Sequence, residues 1–239
     1  MNDFMICGAL LYDGTGHPPY PADVAVTESR VAAVAPAGKL HRTGFREIRA
    51  DGLSLSPGFI DAHGHSDVSI LAAPEASGKI SQGVTTEITG NCGLSAFPVL
   101  TDEVREHLDN LYAAYHVPIT WSTLDDYATE LNRREPAINI ASLCGHNTLR
   151  ANISGYGGRT LAAAELNRMA ELLGQALHQG AAGLSTGLLY TPGRFADTAE
   201  LLHLMSVLKK FDRLYATHLR SEGDQLTEAL EEAVFLAKN

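Results

Sequence analysis

The run Ser56-Pro57-Gly58-Phe59-Ile60-Asp61-Ala62-His63-Gly64-His65 constrains this chain more than any other stretch. Apolar, strand-like residues end in two histidines one residue apart, with a carboxylate two positions before the first. A second apolar run, Gly83 to Gly90, then delivers Asn91-Cys92-Gly93. Alternate side chains of an extended segment point to one side, so His63 and His65 can hold one ion. Neutral imidazole suits zinc, nickel or iron, and a thiolate from Cys92 is a strong zinc ligand. Taken alone, His-x-His is also met as two surface histidines, and a lone cysteine as a buried, inert residue. The preceding strand and Asp61 strengthen the metal reading. The question for the rest of the chain is whether it completes such a site.

The 239 residues suffice for one large domain or one and a half smaller ones, and 45% hydrophobic content allows a sizeable core. A net charge of -10 argues against nucleic acid or an anionic membrane as partner. Three widely spaced cysteines, Cys7, Cys92 and Cys144, make a disulfide framework unexpected. Cys7 and Cys144 sit in apolar strands and fit inert core thiols. No apolar run approaches the roughly 18 residues of a membrane span. The start, Met1-Asn2-Asp3-Phe4, lacks the basic opening of a signal peptide. A soluble cytoplasmic protein acting on a small molecule is the expectation.

Residues 1–55 read as short strands joined by turns such as Asp13-Gly14-Thr15-Gly16, forming a small antiparallel, sandwich-like β domain. From 56 to 239 strands alternate with helices. The expected strands run to Asp61, from Val84 to Thr89, from Ile138 to Leu143, from Ala182 to Gly187 and from Leu214 to Thr217. Helices are expected near Pro74–Gln82, over Asp102–Tyr115, over Ser122–Arg134 with a Ser122 or Thr123 cap, over Leu161–His178, over Asp197–Phe211 and from about Asp224 to Lys238. This is the rhythm of a parallel α/β architecture with five β/α units. The candidate ligands lie just past the C-terminal ends of several strands. Such ends converge on one mouth in a (β/α)8 barrel, whereas an open doubly wound sheet gathers ligands at one switch point.

Further candidates lie at the later strand ends. His218 closes the fifth strand, and Arg220 and Glu222 alternate with it, so all three can face one mouth; Arg220 is suited to a substrate carboxylate. His146 follows the third strand, either as a hydrogen-bonding group for substrate or as a cap for the next helix. Tyr190 lies in the loop after the fourth strand. Arg220 and Glu222 can equally be a solvated pair, and Tyr190 simple loop packing.

The motif Pro57-Gly58-Phe59-Ile60-Asp61-Ala62-His63-Gly64-His65 resembles the first barrel strand of the amidohydrolase superfamily. Ser81-Gln82-Gly83-Val84-Thr85-Thr86 through Gly90-Asn91-Cys92-Gly93-Leu94-Ser95 is similar to its N-acyl-D-amino-acid deacylase (D-aminoacylase) branch. So, in order, are Gly145-His146-Asn147-Thr148-Leu149-Arg150, Gly183-Leu184-Ser185-Thr186-Gly187-Leu188 and Thr217-His218-Leu219-Arg220-Ser221-Glu222-Gly223. The resemblance implies an amidohydrolase-type (β/α)8 barrel. It also implies a zinc hydrolase that cleaves N-acyl-D-amino acids to a carboxylate and a D-amino acid. Carried over, His63 and His65 hold a weakly bound metal, while Cys92 and His218 hold a tight zinc, with Cys92 able to bridge. Tyr190 is implied to contact substrate, with Asp61 and Glu222 as outer partners. Hydantoinase-like relatives bridge their metals with a carboxylated lysine from the fourth strand, and Ala182 to Tyr190 contains no lysine.

The resemblance also implies a histidine ligand after a sixth strand and a catalytic aspartate after an eighth. No residue here maps onto that aspartate. The expectation is therefore the N-terminal portion of a deacylase, weakly active or inactive alone, with open barrel edges that invite self-association. The alternatives are a hydrolase of cyclic amides such as hydantoins or dihydropyrimidines, and a non-catalytic metal-binding partial barrel.

Overall fold

The computed structural model describes residues 3–41 and 43–239. Met1 and Asn2, part of the segment read for a leader, lie outside the described residues. The chain divides into two compact units, Met1–Gly58 and Phe59–Asn239.

The first unit is a five-stranded sheet. Strands β1 (Phe4–Leu11), β2 (Tyr20–Thr27) and β3 (Arg30–Pro36) form the expected antiparallel meander. The first strand runs unbroken to Leu11, because the register slips between Ile6 and Ala9 without breaking the pairing. The chain then crosses to the far edge of β1, so β4 (Arg46–Arg49) and β5 (Ser54–Leu55) add parallel to β1. Its core is small: Leu11, Ala22 and Val24, with Val26 and Leu55 packed against them.

The second unit alternates strands and helices. In order they are β6 (Phe59–Asp61), α1 (Ser69–Ala72), α2 (Ser77–Ile80), β7 (Val84–Thr89), α3 (Asp102–Leu111), α4 (Leu124–Arg134), β8 (Asn139–Gly145), α5 (His146–Ser154), α6 (Ala163–His178), β9 (Gly183–Gly187), α7 (Thr198–Phe211), β10 (Leu214–His218) and α8 (Leu226–Lys238). All strand pairs are parallel, in the spatial order β10-β9-β8-β7-β6. Each new strand joins the same side of the last one. The sheet therefore has no switch point and curls as a half-barrel, and every strand delivers its C-terminal end to one rim.

Local chemistry explains where the helices depart from expectation. Of the helix expected at Pro74–Gln82 only α2 forms, starting after Ala76 in its left-handed conformation (φ 43°), and the short α1, not foreseen, ends before Pro74. The helix expected at Asp102–Tyr115 ends at Leu111 and continues only as a 3-10 turn, Ala113–Tyr115. Thr123 is the cap of α4: its hydroxyl accepts from Asp126 N, and the Asp126 carboxylate accepts from Thr123 N, at 3.2 and 3.0 Å.

The core of this unit lies between the outer face of the sheet and α5, α6 and α7. Leu149, Met169, Leu173, Leu201 and Leu204 are fully enclosed there with Cys144 and Leu184. All five residues of β9 are buried. Among the described residues no helix is long and apolar enough to cross a membrane.

Candidate metal centre

Strands β6 and β7 end side by side, and a short set of polar contacts holds their end loops together. Gly64 N donates to Ile88 O at 2.9 Å. The Asn91 amide spans both loops, donating to Gly64 O at 3.2 Å and to Ile88 O at 2.9 Å. Glu87, fully buried, accepts from Ser66 N at 3.2 Å. A Cβ on Gly64 would fall 1.8 Å from the Glu87 carboxylate, so the middle residue of His63-Gly64-His65 has to be glycine for the turn to lie this low.

The Cys92 loop is strapped to β8 and β9 with equal closeness. Cys92 itself is left-handed (φ 55°), a conformation costly for a non-glycine residue. Ser185 Oγ donates to Gly90 O and accepts from Gly93 N, the latter at 3.0 Å, gripping the loop on both sides of the cysteine. A Cβ on Gly187 would meet Cys92 O at 1.9 Å, so this residue too must be glycine. These contacts fix the direction of the Cys92 side chain.

The result is a cluster centred on the Cys92 thiol. Its Sγ lies 3.3 Å from His63 Nε2, 3.7 Å from His65 Nε2 and 3.6 Å from His218 Nδ1. One donor atom each from His63, His65 and Cys92 falls within 4.8 Å of the others. His218 joins through the thiol alone. Ligands sharing one zinc at zinc–sulfur and zinc–nitrogen bond lengths stand roughly 3.5 Å apart, the spacing that separates the thiol from each of the three nitrogens. The donor set of three imidazoles and one thiol also suits zinc. Burial, and then the charge of His63, depresses the His65 pKa and keeps its ring neutral. Burial, and then the charge of Glu222, holds the Cys92 thiol above its ordinary range, so binding a metal has to displace its proton.

Outer contacts surround this cluster. Glu222 Oε1 stands 3.3 Å from His218 Nε2, on the ring nitrogen that faces away from the thiol. The contact is an ion-pair distance only, since His218 Nε2 is buried without a hydrogen-bond partner among the described residues. Asp61 Oδ1 accepts from His63 N at 3.2 Å, and its other oxygen pairs with Lys79. Tyr190 OH is 3.4 Å from His218 Nδ1, and the two rings sit 4.6 Å apart. Asn147, not foreseen in the sequence, sets the Tyr190 turn: its amide donates to Gly187 O at 3.1 Å and Tyr190 O at 3.3 Å. Only its position after the β8 end, inside Gly145-His146-Asn147, hinted at a role.

Two expectations are corrected. His146 does not face the cluster. It is fully buried, and its Nε2 lies 2.8 Å from Glu200 Oε1, which also accepts from Arg150 Nε at 3.1 Å. As the first residue of α5 it turns toward α7, and no substrate can reach it. Arg220 is likewise committed. Its guanidinium makes a fork to both Glu232 oxygens at 2.9 Å and donates to the carbonyls of Arg194 and Ala196. With its charge met by a carboxylate of α8, it is not free for one on a substrate.

A cavity of about 310 Å³ opens beside the cluster, with His65 and Cys92 at one end and Tyr190 near its rim. Its long wall is the face of α3 that carries Val104, Leu108 and Leu111. Asp67 lies beneath the His65 loop, fully buried, and burial pushes its carboxyl up to about 7.

The model of the amidohydrolase family matches residues 46–232. The chain belongs to the amidohydrolase family. Within the family it is similar to an N-acyl-D-aspartate deacylase of Alcaligenes xylosoxydans xylosoxydans, 40% identical over 99% of this chain and 47% of the relative. It also resembles the N-acyl-D-glutamate deacylase of Bordetella bronchiseptica, solved with zinc and a phosphonate inhibitor. That match has a TM-score of 0.88 and 36% identity, and covers 99% of this chain and 49% of the other. A D-aminoacylase structure described for its binuclear metal centre matches at TM-score 0.89 and 36% identity, covering all of this chain and 49% of the other. The chain thus spans about half the length of the relatives it matches.

Proposed function

We propose that this amidohydrolase chain carries the metal-holding part of a zinc-dependent deacylase that cleaves N-acyl-D-amino acids to a carboxylate and a free D-amino acid. The observation that carries the reading is the Cys92 thiol lying 3.3 to 3.7 Å from nitrogens of His63, His65 and His218. Cys92 and His218 hold the tighter zinc. His63 and His65, which also approach the thiol, would hold a weaker second metal. When bound, zinc supplies polarisation of the amide carbonyl and a lowered pKa for the attacking water.

The chain's own residues do the rest of the positioning. Glu222 places its charge beside His218 Nε2, and Asp61 braces His63 through its backbone N–H. Tyr190, with its pKa raised by burial and then by Cys92 and Glu222, stays protonated and can donate to a substrate carbonyl. Asp61 and Glu87 share Lys79, and Glu222 faces His218, so none of these three is a free acid or base. We therefore expect weak hydrolysis by the 239-residue chain on its own. A cytoplasmic setting suits a centre built on a reduced thiol, and all three cysteines are free. The lack of a lysine on β9 weighs against a hydantoinase-type bridge and so against cyclic amides.

The test is zinc binding and turnover on the purified chain. Zinc should bind at one tight site and Cys92→Ser should weaken it by more than the roughly 100-fold that loss of an outer partner can cost. Any turnover should favour N-acetyl-D-amino acids over their L forms and over hydantoins. Unchanged zinc affinity in Cys92→Ser, or turnover of hydantoins alone, would overturn the proposal.

A further inference from the structure

We infer that the cavity between α3 and the metal cluster is the subsite for the acyl chain of the substrate, and that it selects acyl groups longer than acetyl. This rests on the deacylase reading. His65 and Cys92 of the cluster line this cavity, so a chain lying in it can be attached to a carbon held at the cluster. Val104, Leu108 and Leu111 follow helical spacing on α3 and present one continuous apolar face to it. Tyr156 packs on His107 of α3 with ring centroids 4.5 Å apart, and both line the space. No lysine, arginine, aspartate or glutamate is among the lining residues.

That composition separates the two halves of an N-acyl amino acid. The amino-acid half always carries an α-carboxylate, and a carboxylate entering an apolar cavity without a cation loses its hydration uncompensated. The acyl half is an uncharged chain that gains from leaving water. A cavity of about 310 Å³ is also at the small end of ligand sites and far exceeds the needs of one methyl group. The face of α3 accordingly reads acyl length, with Leu111 at the open end. Leu111 is half-exposed, so replacing it leaves the core of α3 intact.

The experiment titrates the zinc-loaded chain with straight-chain carboxylates from acetate to octanoate, following heat and the ring NMR signals of His107 and Tyr156. Affinity should climb about fourfold per methylene, the worth of burying one CH2, until the cavity is full. Both rings should shift with butyrate and longer ligands. Leu111→Trp should flatten the series beyond butyrate and leave acetate binding unchanged. A series flat in the wild type, or one with the same slope in Leu111→Trp and both rings unmoved, overturns the subsite. Zinc content is measured on the same samples, and the series is repeated after chelation, where the slope should persist with weaker binding throughout. Zinc retained with a flat series removes the acyl subsite and leaves the metal centre. A slope in a chain that retains no zinc when zinc is supplied does the reverse.

Discussion

Two histidine clusters stand at the same rim of the half-barrel and have opposite fates. His146 follows β8 and His218 ends β10, yet only one of them faces a metal-type donor set. Around His146 the Nε2 is already taken, while Nδ1 is buried without a partner among the described residues. Glu200 takes its Nε2 and the Arg150 guanidinium, Arg150 also donates to the carbonyls of Gly157 and Arg159, and the group is sealed between α5 and α7. Around Cys92 the donors face one another, and no carboxylate or arginine separates them. A strand-end position brings a histidine to the rim. The partner it meets there decides whether it holds the scaffold or offers itself to a ligand.

The largest break in this comparison should come from Glu200→Ala. It strands a buried guanidinium, and stability should fall by about 3–5 kcal/mol in a denaturant titration. Cys92→Ser, on a half-buried residue, should leave the unfolding midpoint nearly unchanged. If the two variants were equally stable, the distinction between scaffold and site would fail.

Gly187→Ala tests the seam between the two regions. Its new methyl must displace the Cys92 carbonyl, an overpacking cost of about 1–3 kcal/mol. Zinc affinity should drop with it, because the thiol moves along with its loop. A stable variant with native zinc affinity would show that the loop does not need this close approach.

Asp67→Asn sharpens the comparison through pH. The folded chain holds the Asp67 proton up to about 7, against an ordinary value of 3.8. Its contribution is fully favourable below the unfolded value and is lost as pH rises through the folded one. The stability of Asp67→Asn relative to wild type should therefore grow from about pH 4 to about pH 7 and then level off. A difference constant with pH would mean that Asp67 ionises normally beneath the His65 loop.

Much of this was legible in the residues themselves. The switch from short strands to a strand–helix rhythm near position 56 follows from hydrophobic periodicity. The sequential parallel sheet follows from the placement of ligand-type residues after successive strands. His63, His65 and Cys92 could be picked out because alternation in an extended segment puts donors on one side. The late start of the helix expected at Pro74–Gln82 was less legible, since a left-handed Ala76 has no signature of its own.

What only the tertiary structure decided was the company each side chain keeps. Arg220 alternates with His218 and Glu222 in sequence, yet Glu232 on α8 claims it. His146 sits in a block that resembles the family's own, yet Glu200, 54 residues away, turns it inward. Gly187 reads as an ordinary strand end until the Cys92 carbonyl is seen to occupy the space of its Cβ. Periodicity and spacing act over a few residues, so the sequence by itself determined which groups reach the rim. Hydrogen bonds and close packing between distant segments then determined which of them remained free to bind.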